Sequence, residues 1–105
     1  MRSTMLALAF GLVLPSLAHA KGNWAENHPR RAEVNAHLDL QNWRINREFR
    51  EGEITAGQAR ALHAQDRFIR AEERFDASFN GGHITPAEQR ALNQQENGVS
   101  RRIGP

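Results

Sequence analysis

The chain has 105 residues, a quarter of them charged, no cysteine, no tyrosine and a formal net charge of +2. That length allows one small domain at most. The missing cysteine excludes disulfides, thiolate metal sites, thiol nucleophiles and lipid attachment behind an export signal.

The first twenty residues have the three-part pattern of a secretory signal. Arg2 is the positive start, Met5 to Leu17 is an apolar run broken by Gly11 and Pro15, and Ala18-His19-Ala20 is an A-x-A cleavage site. The run is shorter than the roughly 20 apolar residues that span a bilayer. Cleavage after Ala20, with no stable membrane anchor left behind, is the expectation, and it places the protein in the periplasm or outside the cell. Beyond Ala20 the 85 remaining residues hold 13 basic and 12 acidic side chains, a net charge of +1. Opposite charges are interleaved, as in Arg47-Glu48 and Glu72-Glu73-Arg74, which is the pattern of a solvated helix face. The isoelectric point of 10.4 reflects arginine's pKa and the absence of Tyr and Cys. Nucleic acid is therefore not expected as a partner. Leu, Ile, Val and Phe make up 15 of those 85 residues, below about one fifth, so a marginally stable helical fold is predicted.

Residues 21–28, with Gly22, Trp24 and Asn27, read as an extended or disordered leader. A helical domain over 29–105 follows, organised by an internal repeat with a 30-residue offset, residues 49–70 against 79–100. Phe49, Gly52, Ile54, Thr55, Arg60, Ala61 and Leu62 recur as Phe79, Gly82, Ile84, Thr85, Arg90, Ala91 and Leu92. Each copy punctuates a helix boundary. Gly52 and Gly82 suit the left-handed residue that ends a helix. Thr55 with Gln58, and Thr85 with Glu88, are spaced as capping boxes, and Pro86 suits a first turn. The predicted helices run from about Pro29 to Phe49, Ala56 to Phe79 and Pro86 to Arg102.

Apolar residues recur at helical spacing on each: Val34, Leu38, Ile45 and Phe49; Leu62 and Ile69 with a second stripe of Phe68, Phe75 and Phe79; Leu92, Val99 and Ile103. The two stripes of the middle helix would let it face both neighbours. The expected fold is all-α, three antiparallel helices running up, down and up. Its core is thin, and self-association is an expected way to cover Leu40, Trp43 and one phenylalanine stripe.

Little in the chain points to chemistry. Gly-x-Ile-Thr-x-x-Glu resembles the second half of an EF-hand loop, but the preceding ligand places fall on Ala77, Phe79 and Gly81 in one copy and on Arg47, Phe49 and Glu51 in the other. Calcium needs several oxygen ligands and finds too few there. The histidines after residue 20 lie at 28, 37, 63 and 83 with no metalloprotease spacing. His63, Asp66 and His83 are the candidate metal ligands. No cofactor and no enzymatic activity are expected: there is no phosphate-binding glycine loop, no nucleophile elbow, and Ser78 and Ser100 lack a histidine near in sequence. Asn93 to Asn97 reads as a solvated polar run.

At Ile54-Thr55-Ala-Gly-Gln58 the chain resembles the Leu-Thr-x-x-Gln motif of the Spy/CpxP family of small periplasmic helical proteins. That resemblance implies ATP-independent chaperone or envelope-stress regulatory roles; the second copy departs from the motif with Glu88. Over residues 29 to 103 it is also similar to a group of small exported proteobacterial helical proteins that pair Gly-x-Leu/Ile-Thr-x-x-Glu/Gln with a final Leu-Asn-x-x-x-Asn-x-x-Ser-x-x-Ile, here Leu92-Asn93, Asn97, Ser100 and Ile103. This second likeness implies the compartment and the helical fold.

The function expected is non-enzymatic binding of other proteins, as an envelope-stress holdase or adaptor, with other proteins or a second copy in a homodimer as partners. Trp43, Arg44, Arg67, Phe68, Arg74 and Phe75 are the candidate contacts. The alternatives are a metal-responsive binder using the His63, Asp66 and His83 set, and a structural envelope protein.

Overall fold

The computed structural model describes residues 22–104; the signal expected over 1–20 lies outside them. The described residues form four helices and no strand: α1 over Gly22–Asn27, α2 over Pro29–Arg50, α3 over Ala56–Ser78 and α4 over Pro86–Ile103. The three-helix count is thus one short.

The additional helix, α1, falls where a disordered leader was expected. Six residues cannot sustain a helix alone in water, and here tertiary contacts hold it. The Trp24 ring stacks on His28 with centroids 4.6 Å apart, His28 stacks in turn on His83 at 4.7 Å, and the Arg31 guanidinium lies over the Trp24 face at 5.2 Å. His28, held out of helical geometry before Pro29, breaks α1 from α2.

Both downstream helices begin with a capping box. Thr55 Oγ1 accepts from the Gln58 amide at 3.0 Å while the Gln58 side chain accepts from the Thr55 amide at 2.7 Å. Thr85 and Glu88 repeat the pair at 3.1 and 2.8 Å. Upstream, Gly52 takes φ of +79° and Gly82 of +93°, where a Cβ would be strained. Their backbones close the ends of α2 and α3, with Gly82 N–H donating to the Ala77 carbonyl at 2.9 Å. Thr55→Ala and Thr85→Ala are each expected to cost about 1 kcal/mol, measured by urea unfolding with an unchanged m-value.

Cross-helix pairs give the sense of the three long helices. Arg31 meets Glu73, Arg70 reaches Asn35 and Asp39, and His63 reaches Asn42 and Asn46, so numbers fall along α3 as they rise along α2. Glu33 meets Gln89, His37 meets Glu96 and Arg44 meets Gly104, so α2 and α4 run the same way. Each long helix packs on both others.

The core seam explains this arrangement. Val34, Leu38, Gln41 and Ile45 are buried from α2; Ala59, Leu62, Asp66, Ile69, Glu73 and Ala77 from α3; Leu92, Glu96, Val99 and Ile103 from α4. Each seam advances in steps of three and four residues, the spacing of helices interdigitating at a shallow angle. Ile84 closes the end beneath the α3–α4 loop. The middle helix therefore faces both neighbours through one seam that includes Asp66 and Glu73. The stripe of Phe68, Phe75 and Phe79, expected to pack on a neighbour, faces solvent.

Candidate functional site

Two features stand out from an ordinary small bundle: polar groups inside the seam, and aromatic groups outside it.

Every long helix places a polar side chain at a core position. Gln41, Asp66, Glu73 and Glu96 are each no more than 2 % exposed. Glu73 is neutralised by the Arg31 guanidinium, which also donates to the Gly82 carbonyl at 3.0 Å and so ties α2 to the α3–α4 loop. Glu96 Oε1 lies 2.9 Å from His37 Nδ1, and the Gln41 amide donates to the Glu96 carbonyl and to Ser100 Oγ. Asp66 differs. Neither of its carboxyl oxygens has a hydrogen-bond partner among the described residues, nor has Glu96 Oε2 or Gln41 Oε1.

Electrostatics follow from that geometry. Burial pushes the Asp66 carboxyl up to about 6, and the Glu96 charge adds to the effect while Arg70 and His37 oppose it. Burial likewise raises Glu96, against the pull of His37. The hydrogen bond to Glu96 raises His37 above its ordinary value in spite of partial burial. All three groups are driven toward their protonated forms, as a cluster of buried acids sharing too few cations must be. What this layer can do chemically is take up protons at mildly acidic pH.

The outer surface carries the second feature. Phe68, Phe75 and Phe79 are 66, 62 and 70 % exposed, and Phe75 and Phe79 stack edge to face at 4.9 Å. Beside Phe68 an open groove of about 590 Å³ between α3 and α4 is lined by Ala64, Gln65, Gln95, Gly98 and Arg102 above buried Ile69 and Val99. Arg67 and Arg74 are exposed along the same helix. Trp43, more than half exposed, lies on the outer face of α2, away from that stripe, with Arg47 over its ring at 5.5 Å. Arg44 is no free contact. It donates to Ser100 Oγ and to the Ser100 and Gly104 carbonyls, satisfying the C-terminal end of α4.

The candidate metal ligands are not brought together. His63 is held between Asn42 and Asn46, with burial and Arg67 lowering its pKa. Asp66 points into the core, and His83 stacks on His28 beyond the far end of α3, roughly 20 Å along the helix from His63. Among the described residues no three His, Asp or Glu side chains form a group able to hold an ion. No described helix is long and apolar enough to cross a membrane.

Glu96, which the sequence places in a solvated run over Asn93–Asn97, is fully buried, and the sequence gives Gln41, His37 and Glu73 no site role. The usable signal was spacing: 92, 96, 99 and 103 continue one seam of threes and fours regardless of polarity. Comparison with known proteins finds no match: no family model, no curated protein and no solved structure is similar to the chain.

Proposed function

We propose that the protein, exported by residues 1–20 and cut after Ala20, is a non-enzymatic helical protein of the periplasm that binds other proteins as a holdase or adaptor, its three long helices running up, down and up. The observation that carries this reading is the phenylalanine stripe. A small chain with few large hydrophobic residues leaves three of its four mature phenylalanines on one outer helix face, well over half exposed. Covering one such ring on association removes apolar surface worth about 2 kcal/mol, and exposed apolar patches of this kind mark interaction surfaces. The likeness of Ile54-Thr55-Ala-Gly-Gln58 to the Spy/CpxP motif agrees with this reading.

The test is suppression of light scattering from a thermally unfolding reporter protein. The purified protein is expected to suppress scattering at a few-fold molar excess. A variant carrying Phe68→Ser, Phe75→Ser and Phe79→Ser is expected to need about tenfold more. No suppression by the parent protein at such excess would remove the holdase reading. Mass spectrometry of the exported protein should find Lys21 as the first residue.

A further inference from the structure

We propose that the outer face of α3, with the groove it forms against α4, docks an acidic amphipathic helix of a partner protein, which would pack alongside the three long helices. The proposal rests on the protein-binding reading above and names its partner class.

The first argument is a second coiled-coil seam. Besides its buried seam, α3 carries Ala61, Ala64, Phe68, Ala71, Phe75 and Ser78, again in alternating steps of three and four, and every one is exposed. Apolar or small residues at both seam positions for almost three heptads are what a helix needs to receive a partner's knobs. The small side chains let a backbone approach closely, while Phe68 and Phe75 supply the contact area. Gly98 on the facing wall of the groove extends the small surface onto α4, since a Cβ there would meet nothing nearer than the Arg101 side chain at 3.8 Å.

Charge selects the occupant. At 100° per residue, Arg60, Arg67 and Arg74, one heptad apart, flank the stripe on the side away from α4, and Arg102 stands on the opposite wall of the groove. All four are exposed, and none is within ion-pair distance of a carboxylate among the described residues. On the α4 side of the stripe Glu72 already accepts from Gln95 at 3.0 Å, and Asp76 lies one turn further along, near Glu88. A helix lying there meets three guanidinium groups along the side away from α4 and Arg102 on the other wall, so acidic flanking positions are the ones that match it.

The same pattern disfavours a second copy of this chain. In an antiparallel pair of α3 helices the Phe and Ala layers would match in size, but the three flanking arginines would face their own equivalents. In a parallel pair Arg67 could reach Glu72 of the other copy, but Phe would then stack on Phe and Ala on Ala, leaving layers of unequal thickness. Only a different helix satisfies size and charge together.

The test uses the purified protein and two fluorescent four-heptad peptides with Leu and Ala at the seam positions, one with Glu at every flanking position and the other with Lys. Anisotropy should show the Glu peptide binding at least about tenfold more tightly than the Lys peptide. Phe68→Ser should weaken the Glu peptide about thirtyfold, and combined Arg60→Glu, Arg67→Glu and Arg74→Glu should invert the preference. All these positions are exposed, and circular dichroism should report unchanged helix content; Trp43→Ser, on the other face, should leave binding intact. Equal affinity for both peptides, or none for either, overturns the proposal. If the protein still suppresses aggregation in that case, the protein-binding reading survives without it. A Phe68-dependent dimer in sedimentation velocity at micromolar concentration assigns the face to a second copy and overturns it. So does stronger, Phe68-dependent binding to vesicles of phosphatidylethanolamine and phosphatidylglycerol at about three to one than to the Glu peptide.

Discussion

Asp66→Asn is expected to stabilise the fold by about 2 kcal/mol at pH 8, raising the thermal midpoint by about 10 °C for a domain this size. The Asp66 carboxyl is buried with both oxygens unpartnered and its pKa stands near 6 instead of 3.8. A raised folded-state pKa means that the folded chain binds the proton more tightly than the unfolded chain. The stabilising contribution is therefore complete below pH 3.8, falls as pH rises toward 6, and is gone above it. A shift of that size corresponds to about 3 kcal/mol, an upper figure for the ionised form's penalty. Asparagine keeps the shape without the charge, and it brings a donor into a layer that holds unpartnered acceptors.

The pH profile separates this account from simple repacking. Glu96 and His37 are raised as well, so the parent protein should gain stability as pH falls from 8 to 5, with His37 contributing at the upper end of that range. The groups facing Asp66 are Glu96, Arg70 and His37, and two of the three are part of the same proton-linked layer. In chemical unfolding at several pH values, the advantage of Asp66→Asn should shrink to less than about 1 kcal/mol near pH 4. A stabilisation independent of pH would show that the Asp66 charge is not its cause.

Arg31→Met is expected to have the opposite and larger effect, a loss of about 3–5 kcal/mol. It removes the cation paired with Glu73, a side chain 1 % exposed, and the donor to the Gly82 carbonyl. The face stacked under Trp24 is lost with it. Against a stability of roughly 0.05–0.15 kcal/mol per residue, such a loss could unfold most of the population. The pairing of Arg31→Met with Glu73→Gln should recover about half of it, because the buried charge is then gone as well. Recovery in circular dichroism at 222 nm tests this; failure to recover would assign the effect to the Trp24 and Gly82 contacts instead.

The proton-linked layer and the solvent-facing phenylalanines have one physical origin. α3 offers two seams of coiled-coil spacing, one with Asp66 and Glu73 among aliphatic residues and one built of Ala and Phe. Ranking by hydrophobicity would bury the second. The fold buries the first because Leu62, Ile69 and Ala77 complement the slim seams of α2 and α4, and because Arg31 pairs with Glu73 while Arg70 and His37 act on Asp66 through space. Three phenylalanines on the same face would have held the helices farther apart than Val34, Leu38, Val99 and Ile103 allow.

Local chemistry was legible in the chain. The two Thr capping boxes, the glycines at the helix ends, the first-turn proline and the repeat that carries them act within a few residues, so an all-helical fold and the starts of α3 and α4 can be read from adjacent side chains. Position inside or outside the bundle could not be read that way. Whether Glu96 is surface or core, whether Arg44 is a contact or the cap of α4, and whether residues 22–27 coil or wind into α1 all depend on partners 40 to 60 residues away, such as His37 for Glu96, Ser100 for Arg44 and His83 for His28. Burial energy depends on the three-dimensional neighbourhood of a side chain, and two seams of equal period on one helix are degenerate until the neighbouring helices are in place.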